Sequence, residues 1–197
     1  MFEDKKIGFG ITASFCTIKE VLEPLRGIAR EKAVIYPFVT DNVYNFDSRF
    51  HNKDEFLREV EEITGNKVIH TIAEAETFGP DRPLDMMIIA PATGTTIAKL
   101  SGGISDNAVL MAAKTTLRNR KPVILAPFTN DALGMNGVNI MKLYNVKNIY
   151  FVPFGQDNPV KKPNSVNADL GLLLETAGKA LAGEQIQPVL VALKRDR

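Results

Sequence analysis

The sequence predicts one α/β domain on a doubly wound, mostly parallel sheet, and three observations carry that expectation. Short apolar runs of strand length alternate with amphipathic stripes along almost the whole chain. That alternation gives parallel strands joined by right-handed helical crossovers. Small-residue loops follow the first and fourth runs, Gly8-Phe9-Gly10-Ile11-Thr12-Ala13-Ser14 and Pro91-Ala92-Thr93-Gly94-Thr95-Thr96, the places where such sheets hold ligands. The 197 residues, 45% of them hydrophobic, supply one sizeable core, with neither repeat nor linker to divide it. A single domain over residues 1–197 is expected.

Lys6 to Ile11 reads as the first strand. Phe15, Ile18, Leu22, Leu25 and Ala29 then recur every three or four residues, as on a helix packed against a sheet. Pro24, inside that stripe, should kink or divide it. Ala33 to Val39 supplies a second strand, followed by a polar stretch from Thr40 to Asn52. Asp54 to Ile63 carries the stripe Phe56-Leu57-Val60-Ile63, and Gly65 suits the left-handed residue that closes a helix. Lys67 to Ile72 predicts a third strand, Phe78 to Pro83 is turn chemistry, and Asp85 to Ala90 predicts a fourth strand.

Beyond the fourth strand's loop a short helix reaches Leu100, and Ser101-Gly102-Gly103-Ile104-Ser105 interrupts it. Asp106 is placed to cap a second helix from Asn107 to about Leu117. Pro122 to Pro127 predicts a fifth strand, Met135 to Tyr144 a helix, and Ile149 to Val152 a sixth strand. Phe154 to Asn167 reads as a polar loop and Ala168 to Leu181 as the closing helix. The apolar piece Val189 to Leu193 suits either an edge strand or a contact between copies of the chain.

A net charge of +1 offers no basic field for nucleic acid. No apolar run spans a bilayer and no secretory start is visible, so a cytoplasmic protein without a membrane partner is expected. Cys16 is the only cysteine, and with His51 and His70 it makes a poor metal set.

Several candidate residues sit at the strand ends, each with a plain structural alternative. Gly10, Thr12 and Ser14 suit a phosphate at a helix N-terminus, or a tight strand–helix turn with Ser14 as its cap. Thr40 and Asp41 end the second strand, where an acid would hold a ribose and a threonine a phosphate; two solvated turn residues fit equally. Thr93, Gly94, Thr95 and Thr96 are more small polar residues than a helix cap requires, which favours binding. Asn130 ends the fifth strand, where a carboxamide orients a ligand carboxylate or closes an Asx turn. Cys16 reads as a small buried residue and His70 as part of the third strand. Lys161 and Lys162, on a loop rich in amides, suit a dicarboxylate or solvent.

The run Ala90-Pro91-Ala92-Thr93-Gly94-Thr95-Thr96-Ile97-Ala98-Lys99-Leu100, then Gly103-Ile104-Ser105-Asp106-Asn107 and Pro127-Phe128-Thr129-Asn130, come in a distinctive order. With the first glycine loop they resemble the flavoprotein family of peptidyl-cysteine decarboxylases, phosphopantothenoylcysteine decarboxylase and flavin prenyltransferases. The resemblance implies a crevice for flavin mononucleotide (FMN). Gly10, Thr12, Ser14 and Thr40 would face its phosphate, and Thr93, Gly94, Thr95 and Thr96 its ring side. Asn130 would take the catalytic role of orienting substrate. Two departures stand out: Thr77 occupies roughly the place of the decarboxylases' histidine, and no Met-Trp pair follows Asn130.

Three further stretches, Gly8 to Thr17, Pro127 to Gly134 and Gln156 to Asn167, resemble one branch of that family. In it the chain is one component of a two-subunit oxidoreductase that aromatises a small cyclic dicarboxylate, and its partner binds the nicotinamide cofactor NAD(P). Lys161 and Lys162 would then help to bind substrate. A flavin-dependent decarboxylase or prenyltransferase, and a non-catalytic activating subunit, remain alternatives. The family also implies a homo-oligomer, with Val189 to Leu193 and the helix Asn107 to Leu117 as candidate contacts.

Overall fold

The structure, a computed structural model, describes residues 1–192. Strand β1 (Lys6–Ile11) is buried from Ile7 onward. It lies mid-sheet because Gly8 and Gly10 leave space for the side chains packed over it: a Cβ on Gly10 would stand 2.7 Å from Met87 Cε and 2.8 Å from Val109 Cγ1. Pro24 divides the next stripe as expected. Its ring would clash with the carbonyl four residues back, so Ile18–Val21 winds as a 3-10 turn. Helix α1 (Leu22–Arg30) then starts with Pro24 in its first turn.

After β2 (Val34–Val39) the polar stretch holds a one-turn helix, α2 (Asp41–Asn45). In α3 (Lys53–Thr64) the Asn52 side chain accepts the Glu55 N–H at 3.1 Å, and Gly65 closes the helix at φ 68°. The predicted third strand reduces to one parallel bridge, Ile69 to Phe38. Residues just beyond it are claimed by a reciprocal cap, in which Glu74 N–H donates to Thr71 Oγ1 at 3.2 Å and Thr71 N–H to Glu74 Oε2 at 3.1 Å. That cap starts α4 (Ile72–Glu76).

Strand β3 (Met86–Ala92) is buried at every residue. It leads to α5 (Gly94–Ser101) and α6 (Ala108–Arg118). Asn107, not Asp106, caps α6 by accepting the Leu110 N–H at 3.0 Å, while Asp106 pairs with Lys99 at 2.6 Å. Then follow β4 (Val123–Thr129), α7 (Gly137–Tyr144) and β5 (Ile149–Phe151). The segment read as a polar loop is instead a hairpin of β6 (Phe154–Asn158) and β7 (Lys162–Ala168). Helix α8 (Leu173–Leu181) closes the fold.

The sheet runs β2-β1-β3-β4 in parallel, and the far edge of β4 is shared. Its first half, Val123 to Leu125, pairs with β5 in parallel; its end, Phe128 and Thr129, pairs with β7 antiparallel. Helices α1, α3 and α8 pack on one face, α4 and α6 on the other. This is the doubly wound, mostly parallel sheet the sequence predicts, with an antiparallel hairpin added beyond the strand ends. Chain direction across the sheet reverses between β1 and β3, and that switch point places the site.

Of the two stretches expected at a contact between copies, one is mostly buried. Val109, Ala112, Ala113 and Thr116 of α6 are buried in the core, so that helix offers little free surface. One run of exposed apolar residues lies before and along α7, with Met135 84% and Val138 71% exposed. In the tail Leu190 bridges to Phe154 beside β6; Leu193, the end of the expected apolar contact, lies outside the described residues. Among those residues no helix is long and apolar enough to cross a membrane.

Candidate functional site

Two adjoining cavities open where the loops after β1, β2, β3 and β4 converge, and Ala13, Thr93 and Thr95 line both. The smaller, of about 250 Å³, is also lined by Thr12, Thr40, Asp41, Asn42, Thr96, Lys99 and Asn107. Its floor is a hydroxyl knot. Thr12 Oγ1 donates to the Pro91 carbonyl at 2.6 Å and accepts the Thr93 N–H at 3.0 Å, tying the β1 loop to the β3 loop. Thr93 Oγ1 in turn lies 3.0 Å from Thr96 Oγ1. Thr12 therefore lines the crevice with its hydroxyl already engaged. Gly10 lines neither cavity; it serves the close packing of Met87 and Val109.

Thr40 behaves differently. Its hydroxyl is buried and has no hydrogen-bond partner among the described residues, although it borders this polar cavity. An unpartnered buried hydroxyl costs free energy, and a ligand oxygen in the cavity would relieve it. Facing Thr40 is the start of α5, where Thr93 makes no side-chain cap. The first-turn N–H groups of Gly94, Thr95 and Thr96 are thus free of a side-chain acceptor, the arrangement that favours an anion.

Sequence reasoning assigned that role to a helix starting after Ser14. In the structure Ser14 lies in a loop, its Oγ 2.8 Å from Thr17 Oγ1, and the α-helix begins only at Leu22 because Pro24 delays it. Ser14 lines the larger cavity instead. The helix whose N-terminus meets the crevice is α5.

The larger cavity, of about 760 Å³, brings together Ser14, Cys16, Glu20, Arg49, Phe50, Thr93, Gly94, Asn130, Asp131, Asp157 and Lys162, among others. Asn130 is exposed there, its Oδ1 accepting from Ser165 Oγ at 3.3 Å. Asp131 is held by the Thr129 hydroxyl and by Asn136 Nδ2 at 3.0 and 2.8 Å. Gly94 must lack a side chain here, since a Cβ would stand 2.6 Å from Thr129 Oγ1. Lys162 pairs with Asp157 at 2.8 Å, and that hydrogen bond holds its ammonium above the ordinary lysine range. Partial burial, reinforced by Asp157, raises the Glu20 carboxyl above the usual carboxylate value. Lys161 sits on the hairpin turn and lines neither cavity.

Cys16, expected to be buried, is exposed in this cavity. His70 stacks on Tyr44 with ring centroids 3.6 Å apart. Thr77 lines neither cavity, its hydroxyl accepting from Arg82 at 2.9 Å. Sequence reasoning missed Arg49 and Phe50 because their segment has no periodicity. The available signal was Ser48 and His51 flanking them: Ser48 Oγ and His51 Nδ1 meet at 2.7 Å and close the turn. No group of metal-ligating side chains occurs among the described residues.

Comparison with known proteins places the chain among relatives of similar sequence and fold. The B subunit of dipicolinate synthase from Bacillus subtilis (strain 168) is 49% identical over 187 residues, covering 95% of this chain and 94% of the relative. The crystal structure of the dipicolinate synthase B subunit from Bacillus halodurans C is 48% identical and superposes at a TM-score of 0.90, over 97% of this chain and 98% of that one. The FMN-dependent cysteine decarboxylase SpaF shares the fold alone, at 18% identity and a TM-score of 0.64 over 90% of this chain and 97% of its own. Residues 1–179 match the model of the flavoprotein family, and the chain belongs to that family.

Proposed function

We propose that this chain is the flavin-site subunit of a two-subunit dipicolinate synthase, which oxidises dihydrodipicolinate to pyridine-2,6-dicarboxylate in the cytoplasm during sporulation. The observation that carries the flavin site is the Thr40 hydroxyl, buried with no partner among the described residues beside the uncapped N-terminus of α5. Those donors fit the phosphate of FMN. The substrate class rests on the near full-length similarity to the B subunit of dipicolinate synthase.

Aromatising the ring removes two hydrogens, one as hydride and one as a proton. FMN, when bound, would supply a hydride acceptor, with the NAD(P) of the partner subunit as the alternative acceptor. This chain's own residues bind and orient. Thr40 and the N–H groups of Gly94, Thr95 and Thr96 hold the phosphate, with Thr12 fixing the loops behind them. Ser14, Thr93 and Gly94 border the larger cavity, where substrate lies. Asn130 donates its amide to a substrate carboxylate, and Lys162, held by Asp157, borders the same cavity from the hairpin. A cysteine decarboxylase fits less well, since Thr77, in the place of that enzyme's histidine, is bound to Arg82 outside both cavities.

The test combines a spectrum with an assay. Purified chain reconstituted with FMN should show the flavin absorption bands shifted from those of free FMN. Dihydrodipicolinate formed enzymatically should give dipicolinate rapidly only when this chain, its partner and a nicotinamide cofactor are all present. Full turnover by either protein without the other, or the absence of any flavin binding, would refute this assignment.

A further inference from the structure

The charges of the larger cavity do not balance in the way a lysine-based substrate site requires. Lys162 is already paired with Asp157, and Lys161 lies outside. Arg49 also lines this cavity and carries no ion pair among the described residues. Its guanidinium lies 4.6 Å from the centre of the Phe50 ring, which also borders the cavity.

Arg49 is not on a loose loop. Ser48 and His51 exchange both backbone hydrogen bonds, at 3.1 and 3.3 Å, leaving Arg49 and Phe50 as the two residues at the tip of a tight turn. The Phe50 N–H donates to Ser48 Oγ at 3.1 Å, and the Lys53 N–H to Asp47 Oδ1 at 2.8 Å. His51, 5% exposed, anchors the turn between the rings of Phe15 and Phe56, at 5.5 and 5.4 Å. A pinned turn thus delivers a planar five-donor cation and an aromatic ring to the cavity wall.

We propose that Arg49 is the specificity-determining residue for the substrate, gripping one carboxylate of the cyclic dicarboxylate through its guanidinium fork. Guanidinium geometry matches a carboxylate with two parallel hydrogen bonds, and stacking on Phe50 orients the fork beforehand. Asn130, at the end of β4 on the same cavity, is left to meet the other carboxylate. The inference rests on the proposed function and moves the principal cation from the hairpin lysines, expected from the sequence, to the α2–α3 loop.

The experiment titrates pyridine-2,6-dicarboxylate and pyridine-2-carboxylate into FMN-loaded chain by calorimetry, with and without the partner subunit, for wild type, Arg49→Met and Arg49→Lys. Arg49→Met should weaken the dicarboxylate roughly 10- to 100-fold and shrink its preference over the monocarboxylate. Arg49→Lys should fall between, because charge remains and the fork is lost. FMN titration should be unchanged, which separates a substrate role from a phosphate role or a collapsed loop. Unchanged dicarboxylate affinity, an undiminished preference, or an equal loss of FMN binding would overturn the role of Arg49. A wild type that binds neither pyridine carboxylate would overturn the functional reading itself, and this inference with it.

Discussion

Thr40 offers a separation that few substitutions allow. Its hydroxyl has no partner among the described residues, so Thr40→Val should leave the thermal transition unchanged or slightly raised. The same change should weaken FMN about 10-fold, the loss of one hydrogen bond to a charged oxygen. Fluorescence titration and a melting curve on one sample check both. His51 gives a second residue-scale expectation. Burial first, then the charge of Lys19, lowers its pKa below the ordinary imidazole value, against an opposing pull from Asp47. A histidine depressed on folding contributes stability that is fully present above its unfolded pKa, about 6.5, and lost as pH falls toward the folded value. Urea midpoints should therefore drop on acidification from pH ~7 to ~5, and His51→Phe should flatten part of that drop.

Among the elements, β1 owes its central place to the glycine that Val109 of α6 covers. Met87 is flexible and can yield, whereas Val109 is branched and fixed on its helix, so Gly10→Val should cost about 1–3 kcal/mol of unfolding free energy. Chemical denaturation measures it, and Gly10→Ala should cost less. Element by element, strands and helices with strong periodicity were legible: β1, β2, β3, β4 and β5, α3 with Gly65, and the division at Pro24. Short-range competition decided the rest. Lys67 to Ile72 has strand composition, yet the Thr71–Glu74 cap takes its end into α4. Asp106 and Asn107 are both good caps, and the Lys99 ion pair removes Asp106 from the contest. The β6–β7 hairpin was hidden because Gln156, Asp157, Asn158 and Asn164 look like loop residues; β7 forms on the end of β4, a partner distant in sequence, and β6 pairs with β7. In the site, threonines at strand ends were legible from composition. That Thr12 is engaged while Thr40 is not depended on tertiary geometry, as did the arrival of Arg49.

For the molecule as a whole, the pattern of attachment matters more than any one contact. The parallel core, from β2 across β4, holds the smaller cavity, while Asp157 and Lys162 on the far wall of the larger one belong to the hairpin. Strand β4 serves both through different stretches of one edge, Val123 to Leu125 for β5 and Phe128 with Thr129 for β7. Because those stretches have separate partners, the hairpin can detach without breaking the pairing deeper in the sheet. Amide exchange should reveal this as two clocks on a single strand. The N–H groups of Ile124 and Leu125 should open only with global unfolding, whereas those paired between Thr129 and β7 should exchange earlier, through a local opening. Ligand in the larger cavity, touching both walls, should slow the second clock and leave the first unchanged. One strand would then report core stability at one end and occupancy at the other.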